Sequence, residues 1–224
     1  AICLARSGQL AAVYDVRADA ADTLGGVPPG VASPAELARQ ADVVIIAVVN
    51  AKQTIDVLSG PDGVLSQARP GMSIVLVATV SIEDLDAIRA LTDAAGVDLI
   101  DSGVTGGPKS RENGLVCLVG GSAEGVARVR PVLDGFAKLV AHMGGPGAGM
   151  AAPLARHVIV FGGLRAGHTR RSGIGRSGGG DPRIYPRADD KGSGRRDRSG
   201  AQLRHYAAAG RIGAPDGPGR RWPS

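Results

Sequence analysis

Apolar positions in the first two thirds of the chain fall into short runs, set apart by polar and capped segments. AAVYD (11–15) is a brief apolar run that closes on an acid. VVIIAVV (43–49) and SIVLVAT (73–79) are continuous runs rich in β-branched residues, the mark of strands buried on both faces of a parallel sheet. VDLI (97–100), GLVCLVGG (114–121) and KLVAHM (138–143) extend the series. Between them, SPAELARQ (33–40) reads as a helix start: Ser33 is the N-cap, Pro34 takes the first helical position and Glu36 closes a capping box. SIED (81–84) opens a second capped helix that runs to Ala94, and a third spans Ser122 to Leu133. Strands separated by single helices predict βαβ units and an α/β fold with a doubly wound parallel sheet. Ligands of such sheets bind beyond the carboxyl ends of the strands.

Those ends carry the candidate chemistry. Asp15 closes the first run, where an acid commonly binds the adenosine ribose of NAD, while Arg17 would suit a 2′-phosphate. Val48 and Asn50 close the second run and Thr79 the third. Taken singly, each reads as a cap or turn residue; three at one sheet edge point to a site. The stretch DSGVTGGP (101–108) offers a carboxylate, two hydroxyls and three glycines where a strand should end. Gly106 and Gly107 let backbone N–H groups approach an anion, and Thr105 adds a hydroxyl, so a small carboxylate or phosphate would fit. The plain alternative is a tight crossover turn that binds nothing.

Composition changes this picture in one place. Residues 1–164 hold 12 Lys and Arg against 16 Asp and Glu, and residues 165–224 hold 14 against 5, so the net charge of +5 belongs to a tail. That tail, rich in Gly, Arg, Asp, Ser and Pro, lacks the apolar surface that offsets ordering entropy, which predicts disorder over about 170–224. Only AQLRHYAAA (201–209) has the makings of a helix there. No run approaches the roughly 18 apolar residues of a membrane span, and no signal peptide is evident. Cys3 and Cys117 form no metal-ligand spacing and read as cytosolic thiols, so a cytoplasmic protein without a metal is expected. The G-x-G-x-x-G at 173–178 has neither a strand before it nor a helix after it and is read as accidental.

From Asp101 to Met150 the chain resembles the β-hydroxyacid dehydrogenases, the superfamily of 3-hydroxyisobutyrate and 6-phosphogluconate dehydrogenases. The family's D-x-P-V-S-G-G and G-x-L-x-x-x-x-G-G stand here as Asp101 to Gly107, then Gly114-Leu115 and Gly120-Gly121. SPAELARQADVVIIAVVN is similar to its third helix and fourth strand, and the likeness covers about residues 1–168. The resemblance implies a Rossmann domain (1–146), the start of an interdomain helix (147–168), and a non-family tail (169–224). It implies NAD(P)-dependent oxidation of a small 3-hydroxy carboxylic acid, with NAD slightly favoured through Asp15. Thr105, Gly106 and Gly107 would hold the substrate carboxylate, and Asp15, Arg17, Val48, Asn50 and Thr79 would line the cofactor.

Three departures follow. The family's first strand and its phosphate-binding G-x-G-x-x-G turn are missing, so AAVYD and VVIIAVV lose the strand between them; they must pair with each other or leave unpaired backbone groups. The family's catalytic Lys, and the Asn four residues on, correspond to Pro153 and His157. Pro153 has no ionisable group, and His157 is a weak substitute. The helical domain gives way near His168 to sequence of the kind an out-of-frame reading produces, which the coding DNA would decide. These departures imply weak or no turnover. The competing expectation is a non-catalytic remnant whose basic tail binds nucleic acid non-specifically at low salt. Family dimers use the helical domain, so the oligomeric state stays open.

Overall fold

A computed structural model describes residues 1–106 and 114–151 and the backbone of 206–210. In chain order the elements are α1 (Ile2–Arg6), β1 (Leu10–Tyr14), α2 (Pro34–Arg39), β2 (Val43–Ala47), α3 (Ala51–Ser59), a 3₁₀ turn (Val64–Gln67), β3 (Ser73–Leu76), α4 (Ile82–Ala94), β4 (Asp98–Thr105), β5 (Leu115–Gly120), α5 (Ala123–Asp134), β6 (Ala137–Gly144) and β7 (Tyr206–Gly210). The expected α/β sheet is present. Its order is β1-β7-β2-β3-β4-β5-β6.

Local signals set the helix starts. Ser33 Oγ accepts the Glu36 N–H at 3.2 Å, and the Glu36 carboxylate reaches back to the Ala32 N–H at 2.9 Å. Ser81 and Ser122 cap α4 and α5 in the same way. The sequence pattern did not mark α3, whose N-cap is Asn50.

The β-branched runs lie between two apolar layers because alternate side chains leave opposite faces. Val44 and Ile46 join the layer that holds Leu37 of α2, Leu58 of α3 and Ile88 of α4. Val43 and Ile45 join the other, with Leu4 of α1 and Val129 and Leu133 of α5. Ile46 and Ile88 are fully buried. Ile88→Ala should therefore cost about 2–5 kcal/mol of stability, read as a lowered midpoint in urea.

The sheet is mixed. β2, β3 and β4 pair in parallel, as do β5 and β6, but β4 and β5 are antiparallel. The stretch from Asp101 to Thr105 is therefore strand rather than loop: it pairs with Gly120 back to Val116. The turn of that hairpin, 107–113, lies outside the described residues.

The expected gap between β1 and β2 is neither closed nor empty. Tyr206–Gly210 fills it, antiparallel to β1 and to β2, with Ala208 opposite both Val13 and Ile45. This corrects two expectations. β1 and β2 do not pair with each other, and part of the predicted disordered tail, and of its one helix candidate, is extended. Two buried strands with free inner edges favour any chain that satisfies their N–H and C=O groups, and that outweighs the helix propensity of alanine. The remaining tail residues are outside the described set.

Candidate functional site

β1 and β2 are both antiparallel to β7 and hence parallel to each other, so β1, β2, β3 and β4 end on one edge of the sheet. Asp15 follows β1, Val48 and Asn50 follow β2, Thr79 follows β3, and Thr105 and Gly106 end β4. The topology thus sets the sequence-predicted residues along one rim. Gly107, Pro153 and His157 lie outside the described residues.

Asp15 is not a bare acid. Its side chain is 4% exposed, and its oxygens accept from the Arg17 backbone N–H at 2.9 Å, Arg17 Nε at 3.2 Å and Arg17 Nη2 at 3.3 Å. The guanidinium forks the carboxylate and fixes its direction. The pair borders a cavity of about 300 Å³ lined by residues 13–18, 21 and 30–32. Asn50 acts as a cap: its Oδ1 accepts the Gln53 N–H at 3.0 Å. Thr79 and Gly106 are exposed and Thr105 is half-buried.

Asp101 is the carboxylate of the DSGVTGGP stretch. It is 2% exposed and faces inward. One carboxylate oxygen accepts the Gly147 N–H and the other the Met150 N–H, each at 2.7 Å. It therefore caps the helix that begins at residue 148 and ties β4 to the GGPGAGM connection. Two glycines make room for this contact. A Cβ on Gly120 would stand 2.6 Å from Asp101 Oδ1, and one on Gly149 would stand 2.4 Å from the Asp101 carbonyl oxygen. His142 Nε2 lies 3.0 Å from the Gly121 carbonyl and 2.8 Å from that of Gly144, so it carries a proton and donates to this turn. Sequence reasoning missed the Asp101 role because its partners are 46 and 49 residues away.

Beneath the site, Cys117 is fully buried, and burial pushes its thiol up to about 11 from an ordinary 9.0. Ser102 beside it acts in the opposite sense, and Asp134 adds to the rise. The folded thiol holds its proton more tightly than the unfolded one. This contribution is complete below pH 9 and is lost as pH rises through 11. Stability should fall by roughly 2 kcal/mol over that window, and Cys117→Ala should flatten the slope in urea melts read at several pH values.

No group of three or more His, Cys, Asp or Glu suited to a metal occurs among the described residues. No described helix is long and apolar enough to cross a membrane. Residues 1–145 match the model of the NAD binding domain of 6-phosphogluconate dehydrogenase. The chain belongs to the β-hydroxyacid dehydrogenase superfamily. It is 31% identical over 196 residues to a 3-hydroxyisobutyrate dehydrogenase of Pseudomonas aeruginosa, covering 85% of this chain and 64% of that protein. That coverage is more than residues 1–168 could supply, so the likeness extends into the tail. Among solved structures, the 3-hydroxyisobutyrate dehydrogenase of Salmonella typhimurium is 30% identical with a TM-score of 0.63, over 77% of this chain and 62% of that one. The Mycobacterium tuberculosis 3-hydroxyisobutyrate dehydrogenase crystallised with L-serine is 28% identical with a TM-score of 0.65, over 71% and 54%. The chain spans about one third to two thirds of the length of the curated relatives it matches. As a superfamily member it carries an NAD(P)-binding domain of Rossmann type.

Proposed function

We propose that this dehydrogenase-family chain binds NAD(P) along the rim from Asp15 to Thr79 and a small 3-hydroxy carboxylic acid at Thr105, Gly106 and Gly107, with weak or no turnover. The observation that supports the reading is the shared rim: four parallel strands end on one sheet edge, with Asp15 just after β1 and Thr105 at the end of β4. The cavity at Asp15 fits the adenosine end, since it pairs apolar walls with a fixed carboxylate. The bound cofactor would supply the hydride acceptor. The chain's part is to orient the hydroxy acid through the Thr105 hydroxyl and backbone N–H groups, and to remove the hydroxyl proton. Pro153 leaves no general base at the family position for that last task. The free thiols and the dehydrogenase relatives suit a cytoplasmic setting.

NAD is favoured because a 2′-phosphate would meet the Asp15 carboxylate. Arg17 offsets that charge, so the preference is small. Arg17→Ala should widen it about tenfold, or about 1.4 kcal/mol, in paired NADH and NADPH fluorescence titrations. The function itself is tested by following NAD(P) reduction with a panel of small 3-hydroxy acids. Saturable NADH binding with slow, 3-hydroxy-acid-dependent reduction supports it; absence of cofactor binding refutes it. Salt-dependent binding of a random-sequence oligonucleotide, with no NADH binding, would favour the basic-tail reading.

A further inference from the structure

β6 closes the sheet at the end opposite β1, and among the described residues only β5 pairs with it. It is eight residues long, contains no proline and carries one formal charge, Lys138. Unused sheet edges are usually kept short or blunted with prolines and charges, because their free N–H and C=O groups are a template for another strand. Alternation buries Val140 in the layer that holds Val129 and Leu133 of α5 and turns Leu139, Ala141 and Met143 to the other face. There Leu139 is 54% exposed and Met143 is 47% exposed. Two large apolar side chains thus stand on one face of an open edge. His142 is no obstacle beside them, since its Nε2 is turned back onto the Gly121 and Gly144 carbonyls of its own chain.

The spacing says what fits this edge. Leu139 and Met143 lie equally far from Ala141, one on each side. We propose that β6 is a dimerisation edge, at which a second copy of this chain pairs antiparallel about a two-fold axis at Ala141 and carries the sheet on across both chains. That axis sets Leu139 of each chain opposite the partner's Met143, and Ala141 opposite the partner's Ala141. It places Lys138 opposite the partner's Gly144, so like charges do not meet. An axis at Val140 would oppose Lys138 to the partner's His142, and an axis at His142 would carry Leu139 past the end of the partner strand. Only the axis at Ala141 uses both exposed side chains, and such self-complementarity is what a two-fold contact requires. The contact is one strand wide, small against the roughly 1,600 Å² of a standard interface, so the dimer is reversible. β6 holds none of the rim candidates, which keeps this surface apart from the proposed cofactor site.

The test is sedimentation velocity of the full chain over a concentration series. The wild type is expected to pass reversibly from monomer to dimer as concentration rises. Leu139→Lys and Met143→Glu should each weaken association about tenfold or more. The double variant should regain most of it, because the new ammonium at 139 of one copy faces the new carboxylate at 143 of the other. Within one copy the two positions are about 13 Å apart along an extended strand and cannot pair. In a Cys3→Ser background, Ala141→Cys should give a disulfide-linked dimer on oxidation, since directly opposed residues bring their Cα atoms within about 4.5–5.5 Å. A wild type that stays monomeric overturns the proposal. So does a dimer that neither single variant weakens, a double variant no better than the singles, or a failure of the Ala141→Cys chain to cross-link.

Discussion

Pro153→Lys is expected to raise kcat/KM for NAD-dependent oxidation of a small 3-hydroxy acid by about 10²-fold or more. Hydride transfer from a secondary or primary alcohol cannot finish until the hydroxyl proton has a destination. A positioned general base is worth about 10²–10⁴ in rate, which is roughly 3–5 kcal/mol of barrier. By resemblance the lysine of this family falls at 153, where the chain has an imino acid with no ionisable group. The gain should appear mainly in kcat, because the added amine acts on the proton in flight and leaves the Thr105 and Asp15 ends of the rim untouched. A coupled assay at saturating NAD reads it. If His157 supplied the base instead, His157→Ala would remove the residual rate and Pro153→Lys would change little.

The second large effect is structural. Asp101→Ala should lower stability by about 3–5 kcal/mol, since it strands the part-buried Gly147 N–H and the buried Met150 N–H that the carboxylate now holds at 2.7 Å. Asp101→Asn keeps one acceptor but turns an NH₂ toward the other amide, so it should lose about half as much. Thermal melts followed by circular dichroism give the comparison. Equal, near-zero shifts for both variants would remove Asp101 from the role assigned to it.

The legible and illegible parts of this molecule divide by range. Ser33, Ser81 and Ser122 announce their helices through contacts three residues away, and the β-branched runs announce buried strands by their unbroken apolar character over about five residues. The rim followed from these, since parallel strands must end together. Asp101 was illegible as a cap because an acid before a glycine-rich stretch looks the same whether it faces a ligand or a helix 46 residues on. β7 was illegible for a different reason. Alanine-rich sequence is locally helical or neutral, and only the vacancy between β1 and β2, a property of the assembled sheet, selects the extended form. Arg17 was read as an alternative to Asp15, whereas the two form one ion pair.

The alternation of β2 between two apolar layers carries a cost for any change in chain length nearby. Val43 and Ile45 serve one layer, Val44 and Ile46 the other. One extra residue inserted after Ala41 would exchange the two sets, offering each helix layer side chains cut for its opposite. Length in this segment is thus more tightly constrained than composition: the strand should accept valine, isoleucine or leucine at most positions, yet refuse a single added glycine.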